Sequence, residues 1–315
     1  MNKYLVTGAA GFIGSSIARA LVARGDSVRG VDNFSTGNRK NLQGLESIDL
    51  IEGDLSVPGV AEAACQGVTC VFHQAALPSV ARSVEYPLRS NSNVDATLHL
   101  LVAARQANVK RVVYAGSSSC YGESLTLPKV ETMLPAPISP YAVTKLTGEY
   151  YMQAFARVYG LETVTLRYFN VFGPHQDPSS EYSGVLARFT IQMLAGQVPV
   201  IYGDGEQSRD FTYIDNVVSG NLLAMAAPAA NVSGHVFNVA TASRITLNQA
   251  VTVLRDLCAY TGDVRYAETR RGDVKHSLAD IAKAHLAFGY TPLVDFAEGL
   301  RRTVEWYRKG VLPPA

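Results

Sequence analysis

The chain carries little charge. Asp, Glu, Lys and Arg make up 17% of its 315 residues, the formal net charge is +1, and the sequence contains no block of basic residues. This pattern gives no reason to expect nucleic acid or an anionic membrane surface as a partner. A small phosphorylated ligand is compatible with it, because a local site can bind such a ligand without any global charge.

Cysteine is scarce as well. The four cysteines are Cys65, Cys70, Cys120 and Cys258, and their spacing contains neither a CxxC pair nor a metal-ligand pattern. We therefore expect reduced, mostly buried thiols and no bound metal.

Long apolar runs are also missing. Although 47% of the residues are apolar, as in an ordinary globular protein, no stretch reaches the roughly 18 apolar residues of a membrane-spanning helix. An apolar run follows Lys3, but Gly8, Gly11 and Gly14 interrupt it, which argues against a signal peptide. Together with the cysteine pattern, these features predict a cytoplasmic protein.

The first ordered pattern is a strand, a glycine turn and a helix. Tyr4-Leu5-Val6 is a short apolar strand, Gly8-Ala9-Ala10-Gly11-Phe12-Ile13-Gly14 follows it, and a helical pattern runs to Arg24. A second strand, residues 28–31, ends at Asp32. This order predicts the first βαβ unit of a dinucleotide-binding fold, whose glycines let the backbone approach a pyrophosphate. An acid at position 32 can bind an adenosine ribose and would repel a 2′-phosphate, which favours NAD over NADP.

Strand and helix patterns continue to alternate. A helix is predicted over residues 88–107, and further strands are predicted over 48–51, 70–73, 111–115 and 163–167. Such alternation predicts an α/β fold with a Rossmann-type, doubly wound parallel sheet covered by helices on both faces. Ligands then bind beyond the carboxyl ends of the strands, where Asp54, Ala75, Ala76 and Ser117 stand. A cofactor and the chemistry should therefore share one crevice.

The regular alternation stops near Asn170, where we place a domain boundary. Residues 1–169 are predicted to form the dinucleotide-binding domain, to which residues 211–240 return. Residues 170–315 are predicted to form a smaller C-terminal α/β domain. The elements expected beyond residue 170 are helices or largely helical stretches over 184–195, 211–226, 247–260 and 296–308 and strands over 198–202 and 236–239.

Two stretches in the first domain carry the candidate chemistry. They are Ser117-Ser118-Ser119-Cys120-Tyr121-Gly122 and Pro140-Tyr141-Ala142-Val143-Thr144-Lys145. Ser139 is a plausible N-cap for a helix running to Tyr159, on which Tyr141 and Lys145 are i and i+4 and share a face. An ammonium beside a phenol lowers the tyrosine pKa from about 10, so that this tyrosine can take a proton from a hydroxyl near neutral pH.

These features together resemble the extended short-chain dehydrogenase/reductase family. The features are the glycine turn, Asp32, Asp54, Ser117, the Tyr141/Lys145 pair and Arg167-Tyr168-Phe169-Asn170. Three longer stretches, residues 139–145, 203–211 and 272–280, resemble the NAD-dependent UDP-hexose 4-epimerases, most of all the branch that acts on UDP-N-acetylglucosamine. The resemblance covers nearly the whole chain. It implies an isomerase with bound NAD that inverts C4 of a UDP-sugar through a transient 4-keto sugar, and it makes residues 170–315 the nucleotide-sugar-binding domain.

The resemblance also implies roles for individual residues. Tyr141 would be the base, Lys145 would bind the nicotinamide ribose, and Ser117 would bond the reacting oxygen. The positions that match cofactor contacts are Gly8, Gly11, Phe12, Ile13, Gly14, Asp32, Asn33, Ser35, Thr36, Gly37, Asp54, Leu55, Gln74, Ala75, Ala76, Asn93, Tyr141, Lys145 and Tyr168. The positions that match substrate contacts are Ser79, Ser117, Ser118, Ser119, Asn170, Val185, Val200, Tyr202, Arg209, Arg270, Asp273 and Ser277.

Two positions bear on the choice of sugar. Pro78 stands where many glucose-type epimerases carry a lysine, which weakens the likeness to the glucose-only branch. Ser277 stands where those enzymes carry a tyrosine and where enzymes that accept an N-acetyl group carry a small residue. The resemblance therefore implies that the protein interconverts UDP-N-acetylglucosamine and UDP-N-acetylgalactosamine, with UDP-glucose and UDP-galactose as a second pair.

Other functions within the family fit the sequence less well or stay open beside this interpretation. Dehydratases carry an Asp-Glu pair and decarboxylases a Glu where Ser118 and Ser119 stand, so both are disfavoured. A 4-epimerase of UDP-glucuronate or of a UDP-pentose stays open, as does an NAD-binding sensor without catalysis. The resemblance further implies a homodimer in which the helices over residues 88–107 and 141–159 of each subunit form a four-helix bundle.

Overall fold

The computed structural model describes residues 2–178, 184–269 and 275–311. Its strands are β1 (Lys3–Thr7), β2 (Ser27–Asp32), β3 (Asp49–Glu52), β4 (Cys70–His73), β5 (Arg111–Ser117), β6 (Glu162–Tyr168), β7 (Val171–Phe172), β8 (Val200–Tyr202), β9 (Ser208–Arg209), β10 (Thr212–Tyr213), β11 (His235–Val239), β12 (Ile245–Thr246) and β13 (Arg265–Ala267). Its helices are α1 (Phe12–Ala23), α2 (Val60–Cys65), α3 (Val80–Glu85), α4 (Pro87–Ser90), α5 (Ser92–Gln106), α6 (Pro140–Tyr159), α7 (Val185–Leu194), α8 (Ile214–Ala226), α9 (Ala229–Val232), α10 (Leu247–Cys258), α11 (Ala282–Phe288) and α12 (Phe296–Val311). Short 3-10 turns occupy Arg39–Leu42 and Ser118–Tyr121.

Seven strands form one sheet in the order β11-β6-β5-β4-β1-β2-β3, and every neighbouring pair is parallel. The chain runs outward from β1 to β3 on one side and then crosses to β4, β5 and β6 on the other. The direction of winding therefore reverses between β1 and β4, which is where open α/β sheets bind ligands. Thr7 at the end of β1 is level with Val31 and His73. The predicted doubly wound parallel sheet is confirmed.

Neighbouring residues of the central strands face opposite layers of the fold. In β1, Val6 belongs to the core that includes Ile17 of α1, whereas Leu5 belongs to the core that includes Leu101 of α5. Helices α1 and α8 cover the first face, and α2, α5 and α6 cover the second. Burial on both faces explains why these strands are continuous apolar runs. Each such buried aliphatic side chain contributes about 1.5–3 kcal/mol relative to an exposed one.

Helix α6 begins and ends where the sequence indicates. The Ser139 hydroxyl accepts a hydrogen bond from the Ala142 amide at 3.2 Å, and Gly160 follows the last turn with a φ of +69°. The single helix predicted over residues 88–107 is divided, since α4 ends at Ser90 and α5 begins at Ser92.

The remaining strands are short and pair among themselves. β7 pairs with β10, β8 with β13, and β9 with β12. An aromatic cluster of Phe172, Phe211 and Phe296 joins this part to α12. β11 comes late in the chain but lies beside β6 at the edge of the large sheet. The division of the chain into two domains stays a prediction.

Within the described ranges, no helix is both long enough and apolar enough to cross a membrane.

Candidate active site

Two adjoining cavities lie beyond the carboxyl ends of the large sheet. The larger has a volume of about 690 Å³ and reaches the ends of β1, β2, β4 and β5. The smaller, about 420 Å³, lies between the β6–β7 connection, α7, β8 and β9. The two share Ser79, Gln176 and Gly184 in their walls. The two cavities are therefore direct neighbours.

The glycine turn forms the floor of the larger cavity. Gly8 has a φ of +64°, and a Cβ there would lie 2.9 Å from the Cα of Ala75. A Cβ on Gly14 would lie 2.0 Å from the Gly8 carbonyl oxygen. α1 then begins at Phe12, with no capping side chain at Gly11 and no acid in its first turn. Its free amide groups and the bare turn fit the pyrophosphate of a dinucleotide.

Two carboxylates lie on the same wall, Asp32 at the end of β2 and Asp54 just after β3. Asp32 accepts hydrogen bonds from the amides of Ala10 and Phe34, each at 2.8 Å, and so holds the glycine turn against the next loop. Asn33 donates to Asp54 at 2.8 Å. Burial acts to raise the pKa of Asp54, but hydrogen bonds from Ser56 and Asn33 hold that pKa below its ordinary value. This acidic wall suits a ribose diol and opposes a 2′-phosphate.

All residues that the resemblance assigned to the cofactor line the larger cavity. Sequence reasoning missed other residues of its wall, among them Phe34, Asn38, Asn41, Leu77, Arg82, Ser92, Ala96, His175, Gln176 and Asp177. Asn38 and Asn41 lie within four residues of Gly37, a predicted cofactor position, so their place in the sequence was a usable signal. His175, Gln176 and Asp177 lie in a connection without periodicity and offered none.

Tyr141 and Lys145 project from the first turns of α6 into the larger cavity. The Lys145 ammonium donates to the Ala115 carbonyl oxygen at 2.9 Å and lies 5.0 Å from the centre of the Tyr114 ring. Burial lowers the pKa of Lys145 to about 8. A carbonyl and an aromatic face therefore hold this buried cation.

The sequence predicts that Lys145 lowers the pKa of Tyr141. For the protein without bound cofactor and substrate, this prediction is wrong. Removal from bulk water raises the pKa of Tyr141 to about 12, and a hydrogen bond with Ser117 opposes that rise. The physical reason is that α6 packs over the sheet and takes both groups out of water, which favours the neutral phenol.

The serine cluster meets Tyr141 at the end of β5. The hydroxyls of Ser117 and Ser119 are 2.8 Å apart, and the Ser119 amide donates to the Ser117 hydroxyl at 3.2 Å. Ser118 lies in the 3-10 turn that follows. The structure thus brings Ser117, Tyr141 and Lys145 together, although the lining residues of the two cavities include Ala115 and Gly116 rather than the serines.

Six of the predicted substrate residues line the smaller cavity. Its walls include Ser79, Asn170, Val185, Val200, Tyr202 and Arg209. Ser277 is not part of either wall. Its hydroxyl lies behind Asn170 and accepts hydrogen bonds from the Asn170 side-chain amide at 3.2 Å and the Asp210 amide at 3.3 Å. The predicted Arg270 and Asp273 lie outside the described residues.

A parallel sheet with a glycine turn at its switch point, and a Tyr-x-x-x-Lys helix beside a serine, define an extended short-chain dehydrogenase/reductase. Comparison with known proteins agrees: the NAD dependent epimerase/dehydratase family matches residues 4–240. The chain belongs to this family, and within it the chain is an isomerase, an NAD-dependent UDP-sugar 4-epimerase, as the sequence predicted.

Three similar proteins differ in the sugar that their names give. The structure of a UDP-glucose 4-epimerase from Thermotoga maritima with UDP-glucose aligns with a TM-score of 0.94 and 39% identity, covering 98% of this chain and 100% of that one. A UDP-N-acetylglucosamine 4-epimerase from Methanobrevibacter ruminantium, with UDP-N-acetylmuramic acid, aligns with a TM-score of 0.92 and 41% identity, covering 98% and 99%. A UDP-glucuronate 4-epimerase from Thermodesulfobacterium geofontis is 31% identical, covering 99% and 98%.

Proposed function

We propose that this enzyme interconverts UDP-N-acetylglucosamine and UDP-N-acetylgalactosamine, with UDP-glucose and UDP-galactose as a second pair. The observation that carries the proposal is the small side chain of Ser277 directly behind Asn170. A large side chain at position 277 would push Asn170 into the smaller cavity, because the surrounding side chains are close-packed and moving them costs free energy. With serine there, the wall leaves room for an acetamide on C2. The similarity to the Methanobrevibacter enzyme supports this choice.

In this proposal Tyr141 takes the proton of the 4-hydroxyl, and Ser117 donates a hydrogen bond to the same oxygen. Bound NAD supplies the acceptor and then the donor for the hydride at C4. Tyr141 can act as a base only if its pKa falls when the site fills. The hydrogen bond from Ser117 already favours its phenolate, and the Lys145 ammonium, which lines the same cavity, would add to this effect once the bound ligands bring the groups into place.

Inversion at C4 also requires that the 4-keto sugar present its other face. Arg209, Val200 and Tyr202 line the smaller cavity and would hold the nucleotide there. A guanidinium suits diphosphate oxygens. The sugar would then turn where the two cavities adjoin while its nucleotide stays bound, so that no bond of the sugar ring has to break.

The experiment that tests the substrate is incubation of the purified enzyme with UDP-N-acetylglucosamine, UDP-glucose, UDP-glucuronate and UDP-xylose, with the products identified by NMR. We expect turnover of the first two, with the N-acetyl sugar at least as fast. Turnover of UDP-glucuronate or UDP-xylose alone would replace this proposal by the alternatives left open above. Failure of every sugar, with NAD bound, would favour a non-catalytic NAD-binding protein.

We also propose a homodimer that forms through α4, α5 and α6. α5 and α6 pack side by side, and this part of the surface exposes many apolar side chains. They are Leu88 (90% exposed), Val158 (69%), Tyr150 (52%), Val143 (49%), Tyr159 (47%) and Val102 (38%). Exposed apolar side chains on adjoining helices are typical of a protein interface. Light scattering at micromolar concentration should give twice the chain mass, and Leu88→Lys combined with Val158→Lys should reduce it to the monomer mass.

We make two further proposals. The first is the division into a cofactor domain, residues 1–169 with the return of 211–240, and a nucleotide-sugar domain, residues 170–315. The second is the cytoplasmic location, which rests on four cysteines that form no disulfide.

A further inference from the structure

A buried histidine lies directly behind the cofactor cavity. His73, the last residue of β4, is 1% exposed. Its Nδ1 is 2.8 Å from the Thr7 hydroxyl, and its Nε2 is 3.1 Å from the Thr97 hydroxyl. The centre of the Tyr114 ring lies 5.5 Å from the centre of the His73 ring, and the charge of Lys145 is close enough to lower the pKa of His73. The roles proposed above for the cavity residues do not involve His73.

The hydrogen bonds around His73 permit one protonation state. The Thr97 hydroxyl donates to the Asn93 carbonyl oxygen at 2.7 Å, so it can only accept from the ring, and Nε2 must carry a proton. The Thr7 hydroxyl already accepts from the amides of Gln74 and Ala75, at 3.1 and 3.0 Å, so its own proton must go to Nδ1. Every donor then has an acceptor only if the ring is neutral. Burial and the Lys145 charge lower the pKa of His73 to about 3, which agrees with this state.

Two branches lead from this ring to the cavities. On one side, Thr7 holds the amides of Gln74 and Ala75, which line the larger cavity. On the other side, Thr97 holds the turn of α5 that carries Asn93.

The second branch continues to the catalytic helix. The Asn93 side chain accepts from the Leu77 amide at 2.7 Å and donates to the Thr144 hydroxyl at 3.2 Å. Thr144 donates in turn to the Tyr141 carbonyl oxygen at 2.8 Å. A chain of buried hydrogen bonds thus joins the strand before the glycine turn to the first turn of α6.

We propose that His73 is a positioning residue. With a neutral ring that carries its proton on Nε2, it holds the cofactor-lining backbone in place through Thr7. Through Thr97 and Asn93 it also holds the first turn of α6, which carries Tyr141. The inference rests on the roles proposed for Tyr141 and for the cofactor cavity. It assigns different consequences to the two branches. Loss of the Thr7 hydroxyl should disturb cofactor retention, whereas loss of the Thr97 hydroxyl should disturb the placement of the base.

Valine replaces the threonine hydroxyl by a methyl group at nearly constant shape, so Thr7→Val and Thr97→Val separate the branches. For Thr7→Val we expect NAD release from the holoenzyme to be about tenfold faster, with kcat in excess NAD unchanged within about twofold. For Thr97→Val we expect kcat to fall about tenfold, with NAD release unchanged within about twofold. The matched controls Thr7→Ser and Thr97→Ser keep the hydroxyl and should restore both quantities.

If the two hydroxyls only stabilise the fold, each valine variant should lose NAD retention and kcat to the same extent, in proportion to the fall in its Tm. That result, or serine variants as impaired as the valine ones, overturns the proposal.

The unmodified protein provides an independent test that needs no activity. In ¹⁵N-labelled enzyme, the His73 signals, identified among the six histidines by their shift in Thr7→Ser, should show Nε2–H and no titration down to pH 5. A proton on Nδ1, or titration above pH 5, overturns the proposal even if no UDP-sugar is turned over.

Discussion

Glu149 and Arg167 form a two-point ion pair inside the protein. The Arg167 Nε is 3.0 Å from Oε2 of Glu149, its Nη2 is 2.7 Å from Oε1, and the two side chains are 3% or less exposed. The guanidinium also lies 4.6 Å from the centre of the Tyr121 ring, in the turn that follows Ser117. This pair joins the helix of Tyr141 to β6 and to the serine turn, so it fixes the catalytic groups relative to the sheet.

Breaking this pair from one side should be costly. Glu149→Leu leaves the Arg167 cation buried without a counter-ion, and we expect a loss of about 3–5 kcal/mol in the free energy of unfolding, measured with urea. The double variant Glu149→Leu/Arg167→Met should recover much of that loss, because no charge is left buried. As a control, Glu298→Gln disturbs exposed pairs with Arg301 and Arg302 and should change stability by only about 1 kcal/mol or less. A double variant less stable than Glu149→Leu would contradict the argument.

Tyr141→Phe removes the base and keeps the ring. We expect kcat to fall by about 10²–10⁴, with NAD still bound, because the cavity wall is unchanged. Tyr150→Phe is the matched control, since Tyr150 lies on the same helix but is 52% exposed, and it should retain full activity. Activity of Tyr141→Phe within about threefold of the parent would remove Tyr141 from the mechanism.

The buried Lys145 should make the free energy of unfolding depend on pH. Its pKa is about 8 in the folded protein against an ordinary value of 10.5. Between these pH values the unfolded chain binds a proton that the folded protein does not, so stability rises with pH there. The limiting slope is about 1.4 kcal/mol per pH unit. Relative to Lys145→Met, the parent should therefore gain stability from pH 8 to 10.5 in urea unfolding without added cofactor. Parallel profiles of the two proteins would show that Lys145 keeps its ordinary pKa.

Ser277→Tyr tests the choice of sugar. The phenol cannot fit behind Asn170, so we expect turnover of UDP-N-acetylglucosamine to be lost and turnover of UDP-glucose to be spared. Ser277→Ala is the control for the lost hydroxyl, since it removes the oxygen that accepts from the Asn170 side chain and from the Asp210 amide without adding volume. It should raise KM for both sugars by a similar factor, about threefold to tenfold. If Ser277→Tyr turns over the N-acetyl sugar at the parent rate, Ser277 does not select the substrate.

The sequence by itself determined what depends on neighbours along the chain. Apolar runs gave the strands, and capping residues such as Ser139 gave the limits of α6, because backbone hydrogen bonds and caps are local. The i, i+4 spacing of Tyr141 and Lys145 and the glycine turn were sufficient to predict the class of site. The resemblance to a known family then supplied the cofactor.

Only the tertiary structure decided what depends on burial and on distant partners. Lys145 is withdrawn from water by a sheet whose strands come from separate parts of the chain, so its lowered pKa has no signal in the sequence around it. Strands of two residues, such as β9 and β12, are too short to show a period in the sequence. They form because the fold brings these two segments side by side. Ser277 reaches Asn170 across 107 positions, and His73 reaches Thr7 across 66. Such contacts exist only once the core has brought the segments together, because packing rather than local preference selects those partners.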